Sequence, residues 1–466
     1  MSLESTLFNL LQHYPDTHII IAYSGGVDSQ VLLHALLNLK NPKTDPNIQL
    51  LNTMSVCHVN HGLSDNAFKW EAFAQQQCDL RNVSLDICRV NVQKTAQHSL
   101  EELARNARYN AIKSLVAKQK HLKSIIITGH HSDDQAETFF LALKRGSGLK
   151  GLSSMKPVLP LTDNALLVRP LLNVSRNQIE TYAKINELNW IEDESNEDIR
   201  FDRNFLRHNV LPIITQRWPS FLNTVNRSAE HCQEAEQLLA ELAEQDLENI
   251  NLSDTQSVNK LSLTKLTALS KARFNNVIRY FLQSHQCLMP SSAQLAQLYS
   301  QLLAGDDKTP AVKVGTYWLR RFQQCVYLTH DLNDVTDFEQ TVDLQADTET
   351  NITLPDALGK VVFTSSNSSK ELFENVKTLY IKHPTLTQKV TVSFTHNNPK
   401  CIPDYRQHSR VLKKVLQELN IPTWERKRVP FLYYDDQLVA VIGYFVCKDF
   451  MPEENDNYIA AYWLSK

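Results

Sequence analysis

Ser24-Gly25-Gly26-Val27-Asp28-Ser29 follows the apolar run His18-Ile19-Ile20-Ile21-Ala22, with only Tyr23 between them. A β-branched run that stops at Ser-Gly-Gly reads as a strand, a tight loop and the start of a helix near Asp28. Two glycines let the backbone approach an anion without interference from a Cβ. The exposed amides of the loop and helix start can then bind phosphate. Ser24 and Ser29 add hydroxyl donors, and Asp28 can hold Mg²⁺ against the phosphates. The Gly-Lys-Ser/Thr ending of a Walker loop is missing, so no lysine is placed to serve a γ-phosphate. A plain strand-to-helix turn would account for Gly-Gly but not for the whole hexapeptide. A phosphate-bearing ligand is expected.

Outward from the loop, short apolar runs alternate with amphipathic stretches. His18 to Ala22, Ser55 to Val59, Leu85 to Val90, Ser124 to Thr128 and Leu166 to Arg169 read as strands. Gln30 to Leu39, Asp65 to Leu80, Ser99 to Lys118 and Ser132 to Lys144 read as helices. Such alternation predicts an α/β fold with a doubly wound parallel sheet, whose ligands bind at the carboxyl ends of the strands. A chain of 466 residues is too long for one core. We expect a catalytic domain over 1–217, a helical domain over 218–330, an acidic linker over 331–360 and a small α/β domain over 361–466. The linker is inferred from eight acidic residues against one basic. Ser228 to Leu247 reads as an amphipathic helix, and Val390 to Thr395 and Leu438 to Phe445 as strands.

The net charge of −3 excludes a uniformly basic nucleic-acid binder, although local faces can still bind RNA. No secretory signal or run long enough to cross a bilayer is visible, and no protein partner is evident. The eight cysteines contain no Cys-x-x-Cys pair, which suits scattered thiols in a reducing cytoplasm.

Four further motifs accompany the loop. They are His58-Val59-Asn60-His61-Gly62-Leu63, Glu102-Leu103-Ala104-Arg105-Asn106-Ala107-Arg108-Tyr109 and Thr128-Gly129-His130-His131-Ser132-Asp133-Asp134-Gln135-Ala136-Glu137-Thr138. The fourth is Glu192-Asp193-Glu194-Ser195-Asn196 ahead of Arg203-Asn204-Phe205-Leu206-Arg207. The histidine clusters could ligate a metal, but nucleotide contact is simpler beside a phosphate loop. Asp133 and Glu137 are four apart, Asp134 and Glu137 three apart, so these carboxylates can line one helix face. Negative charge in a helix's first turn would look the same. Arg105 with Arg108, and Arg203 with Arg207, can each present two guanidiniums to phosphate or form salt bridges with Glu101, Glu102 or Asp202.

Ser-Gly-Gly-x-Asp-Ser resembles the signature of the PP-loop ATP pyrophosphatases, which cleave ATP to AMP and pyrophosphate. Together and in this order, the motifs resemble the tRNA(Ile)-lysidine synthase family across residues 1–217. The middle and C-terminal regions resemble its appended domains more weakly, which implies that 218–330 and 361–466 are tRNA-binding domains. The resemblance implies that ATP adenylates the C2 oxygen of the wobble cytidine in the CAU-anticodon isoleucine tRNA. Free L-lysine then attacks C2 to give lysidine, and decoding changes from Met to Ile.

It further implies catalytic roles for Asp28, His130, Asp134 and Glu137, with Asp28 also holding Mg²⁺. ATP would contact Ser24, Gly25, Gly26, Val27, Asp28, Ser29, His58 and His61. The tRNA would contact Arg105, Arg108, Arg203, Asn204 and Arg207. The basic stretch Lys400 to Arg428, with eight basic and three acidic residues, would add Lys413, Lys414, Arg426, Lys427 and Arg428. Ser64 stands where the family commonly has Arg. A related tRNA thiolase would form the same adenylate but generally needs paired reactive or cluster-binding cysteines.

Overall fold

Ile19, Ile20 and Ile21 are completely buried, so the strand that carries them must be covered on both faces. Burial of each such side chain contributes about 1.5–3 kcal/mol. The computed structural model describes residues 2–40, 52–64, 66–92, 100–118, 123–250, 259–303, 310–344, 349–365, 376–453 and 456–465. It divides into two units, Met1–Glu241 and Leu242–Lys466.

The first unit begins α1 (Leu3–Leu11), β1 (His18–Ala22), α2 (Val27–Lys40), β2 (Met54–Asn60), α3 (Ala67–Leu80) and β3 (Ser84–Arg89). It continues α4 (Leu100–Lys118), β4 (Ser124–Ile127), α5 (Ser132–Lys144), α6 (Leu149–Leu152), β5 (Val158–Thr162), β6 (Ala165–Val168) and α7 (Arg176–Ile185). After these come α8 (Asp202–Phe205), a π-helical turn at Leu206–Val210, α9 (Leu211–Arg217) and α10 (Phe221–Ile250). The sheet order is β3-β2-β1-β4-β6-β5, parallel except where β5 pairs antiparallel with β6. Ile19 and Ile21 pack under α1, α2, α3 and α7, whereas Ile20 packs with Ile112, Leu115 and Val116 of α4. The parallel strands therefore lie where the sequence placed them. The strand not anticipated, β5, is an edge strand, and Pro160 within it had masked its pattern. Strand order reverses between β1 and β4, which opens a crevice at their carboxyl ends.

The second unit takes in the end of α10 from Leu242, then β7 (Lys260–Ser262), α11 (Leu263–Thr267), α12 (Lys271–Ser284) and α13 (Ser292–Leu302). Then come β8 (Ala311–Val314), β9 (Tyr317–Phe322) and β10 (Cys325–His330). The region read as helical also carries a sheet, in the order β7-β10-β9-β8. Leu319, Val326 and Leu328 alternate inward against Phe274, Val277 and Phe281, a period-2 pattern too short to stand out beside the helices.

The remaining elements are β11 (Glu339–Val342), β12 (Thr350–Thr353), β13 (Lys360–Ser365), β14 (Leu379–Lys382), β15 (Val390–Ser393), β16 (Lys400–Cys401), β17 (Arg410–Val411) and α14 (Leu412–Glu418). The chain ends with β18 (Phe431–Tyr434), β19 (Gln437–Val441), β20 (Phe445–Val446) and β21 (Tyr458–Leu464). Two sheets, β11-β15-β18-β19-β20 and β12-β13-β21-β14, share a core. Leu438 to Phe445 is not one strand: the chain reverses near Gly443, whose φ is +87°.

The acidic stretch is also not a linker. It supplies β11 and β12 and buries Val335, Val342, Ile352 and Leu354 in that core, while its described carboxylates face solvent. Average composition hid a two-faced segment. Among the described residues no helix is long and apolar enough to cross a membrane.

Arg428 ties that stretch in place. It is 5% exposed, with Nη1 donating to the Asn333 carbonyl at 2.8 Å and Nη2 to Asp356 Oδ2 at 2.7 Å. It is consumed by the fold, which corrects its assignment to tRNA. Hydrogen bonds to charged groups contribute roughly 1.5–3 kcal/mol. Arg428→Met should therefore lower the urea midpoint of the protein, whereas Lys427→Met, at an exposed neighbour, should leave it unchanged.

Candidate active site

The loop after β1 turns through Gly25, whose φ of +89° strains any residue with a side chain. Ser29 frames it from the first turn of α2. Its Oγ accepts from the backbone N–H groups of Ser24 and Gly25 at 3.3 and 3.1 Å and donates to the Gly26 carbonyl at 2.9 Å. Ser29 is therefore occupied in shaping the loop, while Ser24 is exposed at its mouth. Val27 is buried and anchors the start of α2. A Cβ on Gly129 would lie 3.1 Å from the backbone carbon and Cβ of Asp28, so glycine is what lets the end of β4 close on the loop.

Asp28 receives Arg176 Nη1 on both oxygens, at 2.9 and 2.8 Å. Burial lifts its carboxyl above the ordinary range, against the pull of His131 and Arg176. His131 is enclosed by carboxylates: Nε2 lies 3.7 Å from Asp28 and 3.5 Å from Asp134, and Nδ1 lies 3.6 Å from Asp133. Burial opposes its charge, but the three acids outweigh that and hold its pKa above the usual value. Asp133 accepts the Arg176 backbone N–H at 2.9 Å and so braces α7 against α5. Burial works against its charge, yet His131 and that N–H hold it at about 2.

Glu137 is fully buried. Its oxygens take Arg207 Nε at 2.7 Å and Nη2 at 3.1 Å, and Arg203 Nε lies 3.1 Å away. Arg207 Nη2 also lies 3.3 Å from Asp134 Oδ1, and Arg203 Nη2 donates to Thr138 Oγ1 at 2.9 Å. Asn204 donates to the carbonyls of Ser195 and Asp198. These three residues, assigned from sequence to tRNA, turn inward because buried carboxylates need counter-ions and buried carbonyls need donors.

Between β1, β4 and α4 lies an open cavity of about 200 Å³. Ser24, Asp28, Ser29, Arg108, His130 and Asp134 line it; Glu137, by contrast, lies behind the wall. His130 Nδ1 is 2.8 Å from Thr128 Oγ1, and burial with the charges of Arg169, Arg105 and Arg203 lowers its pKa to about 3. His61 Nε2 is 3.5 Å from Arg108 Nη2; burial and that guanidinium lower it to about 4. Both rings are neutral. His58 is buried and donates from Nδ1 to the Tyr23 carbonyl at 3.0 Å, bracing the strand end. Arg105 lies over the Tyr109 ring at 5.3 Å.

Sequence reasoning missed four participants. Arg176 grips Asp28, and Arg169 is a buried cation near His130. Glu71 and Arg89 pair at 2.8 Å and hold Asn60, whose Oδ1 accepts the Gly62 N–H. A signal for Arg176 existed: Ser175 and Gln178 form a capping box, which puts a cation at the start of a helix, where the dipole disfavours it. Ser64 Oγ accepts the Asn66 N–H in the turn before α3.

In the second unit Lys413, Lys414 and Lys427 are exposed, whereas half-buried Arg426 donates to the Ile421 carbonyl at 2.9 Å. Arg406 and Arg410 both pair with Glu418. The open basic surface is thus made of lysines.

A PP-loop domain model matches residues 1–214, a TilS substrate binding domain model residues 261–327 and a TilS substrate C-terminal domain model residues 390–463. The chain is 39% identical over 450 residues to a tRNA(Ile)-lysidine synthase of Serratia proteamaculans (strain 568), covering 96% of each chain. To that of Actinobacillus pleuropneumoniae serotype 3 (strain JL03) it is 39% identical over 440 residues, covering 94% of this chain and 99% of the relative. To that of Vibrio vulnificus (strain YJ016) it is 38% identical over 444 residues, covering 95% of each.

The depressed histidines give the site an acid limit. In the unfolded chain His61 and His130 gain a proton near 6.5, whereas in the fold they resist until about 4 and about 3. Acid therefore favours unfolding, and stability falls as pH drops from 6.5 towards 4. His131, raised above 6.5, contributes with the opposite sign: its stabilisation is present below 6.5 and fades as pH rises through its folded value. His61→Gln should flatten the decline of the urea midpoint between pH 6.5 and 4. An unchanged decline would mean that the His61 ring carries its proton in the fold.

Proposed function

Because this chain belongs to the tRNA(Ile)-lysidine synthase family, we propose that it converts the wobble cytidine of the CAU-anticodon isoleucine tRNA to lysidine in the cavity at the ends of β1 and β4. The observation that carries this reading is the meeting of the phosphate loop, Asp28, a neutral His130 and Asp134 around one space. The cytidine C2 oxygen is a poor leaving group and must be activated. It attacks the α-phosphate of ATP, the bond to pyrophosphate breaks, and an O-adenylyl cytidine forms. The ε-amine of free lysine then adds to C2, and AMP departs with the oxygen.

The chain's part is positioning and charge neutralisation. The amides at the start of α2 face the phosphates, and Arg108 closes the wall formed by α4. Neutral His130 can accept or donate a hydrogen bond at the base without adding charge. Mg²⁺ fits as an ion shared with ATP, because Mg²⁺ typically binds one or two carboxylates together with substrate phosphates. Asp28 would hold it, and it would supply neutralisation of the phosphate oxygens.

Lysine's amine has a pKa of about 10.4, so fewer than about one molecule in a thousand is neutral at pH 7. A carboxylate must bind it and take its proton. Of the two candidates Asp134 is favoured, since it lines the cavity while both oxygens of Glu137 are held by arginine. Glu137 then serves as the anchor for Arg203 and Arg207. Sulfur transfer is disfavoured: Cys57 borders the cavity, but burial and neighbouring Cys88 keep its thiol protonated, and thiolate is the nucleophile.

The deciding assay combines purified protein, ATP, Mg²⁺ and labelled lysine with tRNA transcripts that differ only at the anticodon. Label should enter the CAU isoleucine tRNA, and label in none would sink the reading. Asp134→Asn should slow lysine transfer by roughly 10²–10⁴-fold; full transfer by that variant would remove Asp134 from the mechanism. Replacing Lys413 and Lys414 by Gln should raise the KM for tRNA and flatten its salt dependence while sparing the KM for ATP. An unchanged tRNA KM would mark those lysines as merely solvated.

A further inference from the structure

The departing pyrophosphate is polyanionic, and the loop that cradles it carries no lysine. A cation nevertheless stands at its end. Arg176 approaches from α7 and places Nη1 at 2.8–2.9 Å from both oxygens of Asp28, with Nε on Glu180 at 2.8 Å. Among the described residues no partner is recorded on Nη2, and the side chain is 37% exposed. The other guanidiniums are differently placed. Arg203 and Arg207 are taken up by Glu137 and Asp134, and Arg108 comes from α4, on the opposite face of the sheet from α7. As a simple brace Arg176 is poorly placed, because a positive charge in a helix's first turn opposes the dipole.

We propose that Arg176 is the pyrophosphate-binding residue of this site, receiving the β- and γ-phosphates of ATP and then the leaving pyrophosphate. In its contact with Asp28 each side chain neutralises the other, and the same fork can turn to phosphate oxygens, for which its planar geometry is suited. The assignment rests on the ATP-cleaving reading above. It places the cation that a Walker loop carries within its own sequence on a separate element, 148 residues along the chain from Asp28.

The test is direct binding to the full-length protein, followed by calorimetry with inorganic pyrophosphate and, separately, AMP. Arg176→Gln should weaken pyrophosphate binding by about tenfold to a hundredfold, as expected for loss of a charge-assisted contact. AMP binding should not change, and Arg176→Lys should recover part of the loss. A general structural role would instead weaken both ligands together. If Arg176→Gln fails to fold, the comparison of Arg176→Lys with wild type, which should still differ for pyrophosphate alone, decides. A wild type that binds no pyrophosphate, or variants that bind it as the wild type does, overturns the assignment. Intact pyrophosphate binding without lysine transfer would fail the reaction and leave Arg176 in place.

Discussion

Ile19, Ile20 and Ile21 surrender their whole accessible surface to helices on both sides of the sheet, and that two-sided burial fixes where chemistry can occur. A strand with no wet face meets solvent only at its ends. The amino end of β1 is tied to β2 by His18, whose ring lies 2.8 Å from both Thr53 Oγ1 and Ser55 Oγ. The carboxyl end, beside β4 where strand order reverses, is the end left to bind a ligand. Gly25, Gly129 and the Ser29 hydroxyl are local consequences: they let two strand ends approach closely enough to share one cavity.

Around that cavity the charges are arranged in layers. Asp28, Asp133, Asp134 and Glu137 would repel one another if left alone in a partly buried space. His131 sits among the first three, and Arg176, Arg203 and Arg207 enclose the set from α7, α8 and the turn after it. Removing any one partner leaves an uncompensated charge, which is costlier than never having had the pair. The same cluster can therefore be a structural keystone and still expose Asp28 and Asp134 to a ligand. Depth divides the roles, with Glu137 inside and Asp134 at the wall.

The parallel sheet was legible because its strands are strongly apolar and its helices long. The phosphate loop was legible because its residue types have few other uses in that order. What escaped was anything that depended on partners distant in sequence. Arg176, Glu71 and Arg89 are ordinary charges until the fold brings Asp28 and Asn60 to them. Arg203, Asn204 and Arg207 had the right spacing for phosphate, but spacing does not reveal which way a helix faces. Composition misled most at 331–360, where carboxylates on one side concealed four buried apolar residues on the other, and at Arg428, which belongs to that segment's packing rather than to a basic surface.

Ser29 gives the loop a property beyond its shape. Because its hydroxyl satisfies two loop N–H groups and one loop carbonyl, the protein itself sets the loop's shape, and the entropy of ordering it is lost in folding rather than in binding. Capture of ATP then needs no closure of this segment. Discrimination among nucleotides must arise elsewhere in the cavity, since a rigid phosphate cradle treats every nucleoside triphosphate alike.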